Sequence, residues 1–183
     1  MLIEKRYTEA KLLFTRYGGS HFHMARDTVY DCYRSFDVPK EMEDAWRREM
    51  KRSYLCRLRE ECDEREIGML FSRICDILEY DKDVNGMSSM IEYARNNQSW
   101  LDTLTNVKIA EIVLNVVANF EINYRYSMIK KALDLLRALK EADFRIAEGY
   151  KEDGQIPEYA TRDRIYERIN SDISYWSERL IQE

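Results

Sequence analysis

The sequence predicts an all-α fold, a compact bundle of about six to seven helices around a buried central helix over residues 99–122. Two observations lead to this prediction. Only two prolines and six glycines occur in 183 residues, too few turn residues for a sheet of many short strands. Apolar residues also recur at intervals of three and four, the spacing of one helix face. One core suffices for this length, so we expect a single domain over residues 1–183.

The first helix is predicted over residues 2–16, where apolar side chains follow the helical spacing. Gly18 and Gly19 should end it, because glycine accepts left-handed backbone angles at little cost. A loop over residues 18–23 and a short helix over residues 24–35 are expected to follow.

A long helix is predicted to begin near Val38, with Asp37 as its cap and Pro39 in the first turn, where a missing N–H costs nothing. Its apolar stripe continues to Glu79. One bent helix, or two helices that break near Asp63, would both satisfy this pattern. We expect a nearly continuous helix, because no glycine or proline lies at that point.

The central helix over residues 99–122 follows a polar loop over 81–86 and a short helix over 87–96. Ser99 and Asp102 form an S-x-x-D pattern that is typical of a helix start. The polar side chains of this helix form one narrow stripe: Lys108, Glu111, Asn115 and Asn119. The rest of its surface is apolar, so we expect neighbouring helices to surround it.

The last third of the chain is predicted to contain two helices. A turn over residues 123–127 precedes the first, which covers residues 128–147. Residues 149–158, which contain two glycines and a proline, then form the longest linker. The final helix, residues 159–183, is expected to be semi-detached from the bundle.

We expect a soluble cytoplasmic protein without a membrane span. The densest apolar stretch, residues 109–120, contains a glutamate and two asparagines and is too short to span a bilayer. Charged residues interrupt residues 1–11, where a secretory signal needs an unbroken apolar core. Without such a signal, the four cysteines are expected to be reduced thiols, mostly in the core. They are Cys32, Cys56, Cys62 and Cys75.

Nucleic-acid binding is not expected, because the net charge is −5 and the isoelectric point is near 5.3. The strongest candidate face for such binding is a basic run on the long helix: Arg47, Arg48, Lys51 and Arg52. Acidic residues flank this run, and Glu43 and Asp44 lie four residues before Arg47 and Arg48. Such pairs neutralise each other along a helix surface, so we interpret the run as a solvated face.

The segment Gly18–Asp27 contains the greatest density of reactive side chains, including both histidines of the chain. Our candidate ligand-binding residues are Ser20, His21, His23 and Arg26, which are suited to an anion. The candidate catalytic residues are His21, His23 and Asp27, with a histidine as acid or base. The alternative that we favour is structural: histidine and arginine hydrogen bonds to the backbone tie down this loop.

Metal binding by this segment would require more than its two histidines. In a loop, His21 and His23 can point the same way and share a metal, whereas on a helix they would diverge. Asp27 or Cys32 would have to supply a third ligand, and neither lies at a diagnostic zinc spacing. We therefore predict neither a metal nor a cofactor.

Arg16 and His21 also form an R-x4-H spacing, which resembles the active-site motif of the HEPN ribonucleases, themselves small helical proteins. The resemblance covers these two residues only. In that family the motif lies on a helix, whereas Gly18 and Gly19 break the helix here. The spacing therefore does not predict a ribonuclease.

The polar stripe of the central helix is a further candidate. Glu111, Asn115 and Asn119 either line a small-molecule pocket inside the bundle or form an internally satisfied network. We favour the network, because buried polar groups usually find partners within the protein.

Two classes of function remain. The first is a non-catalytic cytosolic protein that acts by protein–protein interaction or self-association, as a regulator, adaptor or immunity-type partner. Abundant tyrosine, tryptophan and arginine favour it, since these residues anchor interfaces, and no strong catalytic set argues for an enzyme. The alternative is a ligand- or metal-binding protein or an enzyme whose site is the Gly18–Asp27 segment.

Overall fold

The computed structural model describes residues 2–61 and 63–182, and side chains within 7–61 and 63–181. Regular structure in these residues consists of nine α-helices and two single-turn 3₁₀ helices. The pairing between Glu152 and Gln155 is an isolated bridge, and no strand occurs among the described residues. The prediction of an all-α multi-helix fold is therefore confirmed.

The chain divides into two compact units, Met1–Arg57 and Leu58–Glu183. The helices that begin in the first unit are α1 Leu2–Arg16, α2 His21–Arg26, α3 Tyr30–Arg34 and α4 Lys40–Glu60. Those of the second unit are α5 Glu64–Asp81, α6 Val84–Asn97, α7 Thr103–Val117, α8 Ile122–Glu141 and α9 Arg162–Gln182. The prediction of one domain over residues 1–183 stays a prediction.

In the first unit, α1 ends as predicted, and Gly18 and Gly19 follow it with φ angles of 62° and 75°. The predicted loop over residues 18–23 is too long, since α2 already begins at His21. Ser20 starts this helix, because its side-chain oxygen accepts a hydrogen bond from the His23 N–H. The single helix predicted over residues 24–35 is also wrong, because Thr28 has a φ angle of 61° and separates α2 from α3.

The long helix predicted over residues 38–79 is in fact two helices. It begins at Lys40 and not near Val38, and the predicted cap Asp37 lies outside it with a φ angle of 51°. α4 ends at Glu60, and Asp63 then starts α5 by accepting hydrogen bonds from the next N–H groups along the chain. A side-chain cap thus makes the break that neither glycine nor proline signals.

α7 is the central helix of the second unit. It packs against α5, α6, α8 and α9, and eleven of its fifteen residues are buried. The prediction of a buried central helix is confirmed, but the helix is shorter than the predicted range 99–122. It starts after Asp102, which caps it in place of Ser99, and the chain turns after Val117.

The boundaries of α6 and α8 also differ from the predicted ones. α6 begins at Val84 and not at residue 87, because Asp83 caps it from within the predicted loop. α8 begins at Ile122 and so includes residues 123–127, where a turn was predicted, and it ends at Glu141 and not at residue 147.

The irregular segment between α8 and α9 is attached to the start of α7. The Asp102 carboxylate is fully buried, and it accepts hydrogen bonds from the Thr105 N–H at 2.5 Å and the Ala147 N–H at 2.8 Å. Thr103 donates its N–H to the Arg145 carbonyl at 2.8 Å, and its hydroxyl oxygen accepts from the Arg145 N–H at 3.0 Å. After this segment, α9 packs against α8 and α7 within the second unit.

Two further predictions concern membranes and cysteines. None of the described helices has the length and apolar content needed to cross a membrane. Cys75 is buried, whereas Cys32 and Cys56 are exposed, so the prediction of mostly buried thiols is wrong for these two. Cys62 lies outside the described residues.

Asp102→Ala is expected to lower the free energy of unfolding by about 3 kcal/mol, because two N–H groups lose their acceptor in a buried place. Urea denaturation followed by circular dichroism measures this loss. Ser99→Ala is the matched control and is expected to change the free energy by less than about 0.5 kcal/mol. Equal losses in the two variants would show that Asp102 has no special role at this helix start.

Candidate functional site

The first unit contains a buried carboxylate with three side-chain neighbours. Glu43 lies one turn before Arg47 on α4, and these residues are only 7% and 2% exposed. Glu43 Oε1 accepts a hydrogen bond from the Tyr33 hydroxyl at 2.7 Å and lies 2.9 Å from His21 Nε2. Glu43 Oε2 accepts from Arg47 Nη2 at 3.4 Å. We call these four residues the Glu43 cluster.

Arg47 connects the cluster to the end of α1. Its Nη2 donates to the Gly19 carbonyl at 3.3 Å, and its Nη1 donates to Asp44 Oδ1 at 3.0 Å. Its guanidinium lies 5.0 Å from the centre of the Phe14 ring, a cation–π distance. A Cβ atom on Gly19 would lie 3.0 Å from the Met50 side chain, a close contact, and the positive φ angle of this residue also favours glycine.

Aromatic rings enclose the polar groups of the Glu43 cluster. The Tyr33 ring stacks on Phe14 at 5.6 Å, and His21 lies 5.3 Å from the Tyr30 ring. Burial raises the pKa of Tyr33, and its hydrogen bond to Glu43 adds to that effect. Tyr33 therefore remains a hydroxyl donor at physiological pH. The 2.9 Å separation of His21 Nε2 and Glu43 Oε1 fits a hydrogen bond in which an imidazole N–H donates to the carboxylate.

Only one of the predicted site residues, His21, belongs to this cluster. The Ser20 oxygen accepts from the His23 N–H at 3.3 Å and so is used within the backbone of α2. Arg26 Nε donates to Asp27 Oδ1 at 2.9 Å in an exposed ion pair, and this hydrogen bond lowers the pKa of Asp27. The His23 ring lies beside the exposed Phe22. The predicted binding residues thus take part in different local interactions.

The arrangement also bears on metal binding. His21 and His23 lie two residues apart on a helix and not in a loop, and side chains at this spacing point to different sides. Nowhere in the described residues do three or more histidine, cysteine or acidic side chains converge as metal ligands would. The chemistry available to the Glu43 cluster is that of an imidazole oriented by a carboxylate.

Sequence reasoning missed Glu43 and Tyr33 as partners of His21. It recognised the spacing of Glu43 and Arg47 but placed the pair on the surface, where the structure buries both. The signal was their position beside Trp46 on the apolar face of α4. This burial also removes Arg47 from the predicted basic face, because Arg48 remains exposed while Arg47 points inward.

The predicted polar stripe of the central helix has separate partners. Glu111 accepts two hydrogen bonds from Arg168 Nη2, at 2.7 Å and 2.6 Å, and one from its Nε at 3.1 Å. Asn119 donates to Glu79 at 2.9 Å, whereas Asn115 is exposed. Burial, with the nearby charge of Glu111, raises the pKa of Asp172 to about 6. Within the stripe, Glu111 therefore links α7 to α9 through its hydrogen bonds to Arg168.

Glu43→Gln is expected to destabilise the fold by about 2 kcal/mol, because the buried Arg47 loses one carboxylate partner and keeps Asp44. Urea denaturation measures the loss, and hydrogen exchange of the amides in α2 and α3 localises it. Asp27→Asn, which alters only the exposed ion pair, is the control and should leave the midpoint unchanged. If both variants unfold like the wild type, the cluster does not stabilise the first unit.

Asp172→Asn is expected to stabilise the protein at about pH 8 by on the order of 1 kcal/mol, a value reduced for solvent screening. The folded-state pKa of about 6 exceeds the ordinary value of 3.8, so the folded state binds more protons between these values. Wild-type stability therefore falls as the pH rises from 3.8 through 6.

Melting temperatures at about pH 8 and about pH 3.5 measure this effect. The gain from Asp172→Asn should be almost lost at the lower pH, where the wild-type carboxyl is protonated in the folded state and mostly protonated in the unfolded state. Asp163→Asn changes an exposed residue of the same helix and is the control. A gain that is equal at both pH values would contradict the assignment.

Comparison with known proteins yields no significant match of any kind. No protein family model matches the chain, no curated protein is similar to it, and no solved structure resembles it. The function must therefore be argued from the residues of this chain and from their geometry.

Proposed function

We propose that this chain is a non-catalytic cytoplasmic protein that acts by binding another protein, as a regulator, adaptor or immunity-type partner. The observation that supports this proposal best is a group of large exposed side chains at the start of α8. Ile122, Tyr124 and Tyr126 are 54%, 46% and 52% exposed. We call these three residues the α8 surface.

The α8 surface has the composition of an interface anchor. Tyrosine combines a large contact area with a polar tip, and it is enriched among residues that dominate binding energy. Ile122 and Tyr126 lie four residues apart and so share one helix face, whereas Tyr124 lies on a different face of α8. Arg125 donates to the Ala118 carbonyl at 3.2 Å, which holds this end of α8 against the preceding turn. A partner would therefore meet an ordered helix end.

The Glu43 cluster supports the non-catalytic part of the proposal. Tyr33 and Arg47 direct their hydrogen bonds to Glu43 within the first unit, and Arg47 also bonds a backbone carbonyl. Interactions of this kind orient short helices. They give the cluster a structural role that needs no substrate.

A photo-reactive phenylalanine analogue at Tyr126, introduced in the native host cells, is expected to cross-link to one defined protein that mass spectrometry identifies. Ile122→Asp and Tyr126→Asp should abolish binding of that purified protein without lowering the melting temperature, because the side chains are exposed. Tyr159→Asp changes a tyrosine of similar exposure, 49%, and is the matched control.

Two outcomes would contradict this proposal. One is the absence of a specific adduct at Tyr126. The other is equal loss of binding in the control variant. If the adduct contains two copies of this chain, the partner is a second copy of the same protein. Light scattering should then show a dimer that Tyr126→Asp dissociates.

One observation favours the alternative, a ligand-binding protein or enzyme at residues 18–27. His21 is 40% exposed at its side chain while the buried Glu43 orients it, and this arrangement suits a general base. The alternative would gain support over our proposal if Glu43→Gln left the stability unchanged, since the cluster would then have no structural role.

A further inference from the structure

A groove of about 390 Å³ lies between α5 and α7 in the second unit. Residues one turn apart line each side, Arg65 and Met69 on α5 and Lys108 and Ile112 on α7, and Tyr150 also borders the groove. None of these residues belongs to the α8 surface or to the Glu43 cluster. The groove is therefore a separate feature of the molecule.

Two cationic residues, Arg65 and Lys108, line this groove. The Lys108 ammonium lies 4.2 Å from the centre of the Tyr150 ring and is partly withdrawn from solvent. Among the residues that the structure describes, no carboxylate forms an ion pair with Lys108 or Arg65, although the charges of Asp102 and Glu111 act to raise the pKa of Lys108. Burial lowers the pKa of Lys108, and the neighbouring charge of Arg168 lowers it further. An anion in the groove would offset both effects.

The nearby acidic groups are already engaged. Glu111 borders the groove, but Arg168 holds its two oxygens by hydrogen bonds of 2.6 Å to 3.1 Å. Asp102 is fully buried, and its oxygens accept from backbone N–H groups. Neither of these two carboxylates therefore forms an ion pair with Arg65 or Lys108.

The walls of the groove are open and partly apolar. Gly68 lies inside α5, and a Cβ atom there would have only the Tyr150 hydroxyl within 4 Å, at 3.9 Å. Glycine destabilises a helix interior relative to alanine, and here its missing side chain leaves space beside Tyr150. Met69 and Ile112 supply apolar surface, and the exposed amide of Asn115 adds a hydrogen-bonding group. Mixed walls of this kind suit an organic ligand with one charged end.

We propose that this groove binds a small organic anion. Its carboxylate or phosphate group would lie between Arg65 and Lys108, and its apolar body would lie along Met69 and Ile112. Charge-assisted hydrogen bonds to both cations would provide most of the selectivity for an anion over a neutral compound of the same shape.

NMR titration of the uniformly labelled full chain tests this proposal with benzoate, phenyl phosphate and benzyl alcohol as probes. We expect at least one anion to shift the amides of residues 65–69 and 108–115, and benzyl alcohol to shift none of them. The stronger of the two anions identifies the charged group. Arg65→Gln and Lys108→Gln should each weaken its binding about tenfold, because each removes one charge-assisted hydrogen bond.

Lys130→Gln removes an exposed lysine of α8 and is the charge-matched control, with unchanged binding expected. Gly68→Leu should abolish binding by filling the groove, and circular dichroism checks that this variant keeps its helices. The proposal is overturned if neither anion shifts the groove amides or if benzyl alcohol shifts them as strongly. It is also overturned if Lys108→Gln binds like the wild type.

Discussion

A buried carboxylate must be surrounded by hydrogen-bond donors. Each unit of this chain contains a buried carboxylate on which the arrangement of its neighbouring segments depends. In the second unit, Asp102 stands at the start of the central helix and accepts from the Thr105 and Ala147 N–H groups. This one side chain therefore fixes both where α7 begins and where the segment after α8 lies. In the first unit, Glu43 accepts from Tyr33 and Arg47 in the same way.

These internal requirements separate structural polar groups from available ones. Glu43 and Asp102 are committed to donors within their own units, and Glu111 is committed to Arg168. No carboxylate among the described residues forms an ion pair with Arg65 or Lys108, and the anion site that we propose depends on this difference. The start of α8 differs from both sites, because its distinguishing feature is a set of exposed aromatic side chains.

Apolar spacing predicted the helices better than it predicted their ends or their partners. It located the central helix, because a helix that is apolar on most sides must be surrounded. It missed the break at Asp63, because a single capping side chain can end one helix and start another without disturbing the apolar period. It placed Glu43 and Arg47 on the surface, since a spacing of four residues is the same for solvated and buried pairs.

The contact between His21 and Glu43 spans 22 residues, and no local pattern predicts it. Its role follows from the length of the two short helices that contact Glu43, α2 and α3. α2 and α3 have six and five residues, too short to be stable without tertiary contacts. The buried ion pair of Glu43 is with Arg47, and replacing such a pair by apolar groups is often neutral for stability, so its contribution to stability alone does not explain the cluster. Glu43 has a partner on each short helix, His21 and Tyr33, and these directional bonds select one packing where apolar contacts alone would allow several.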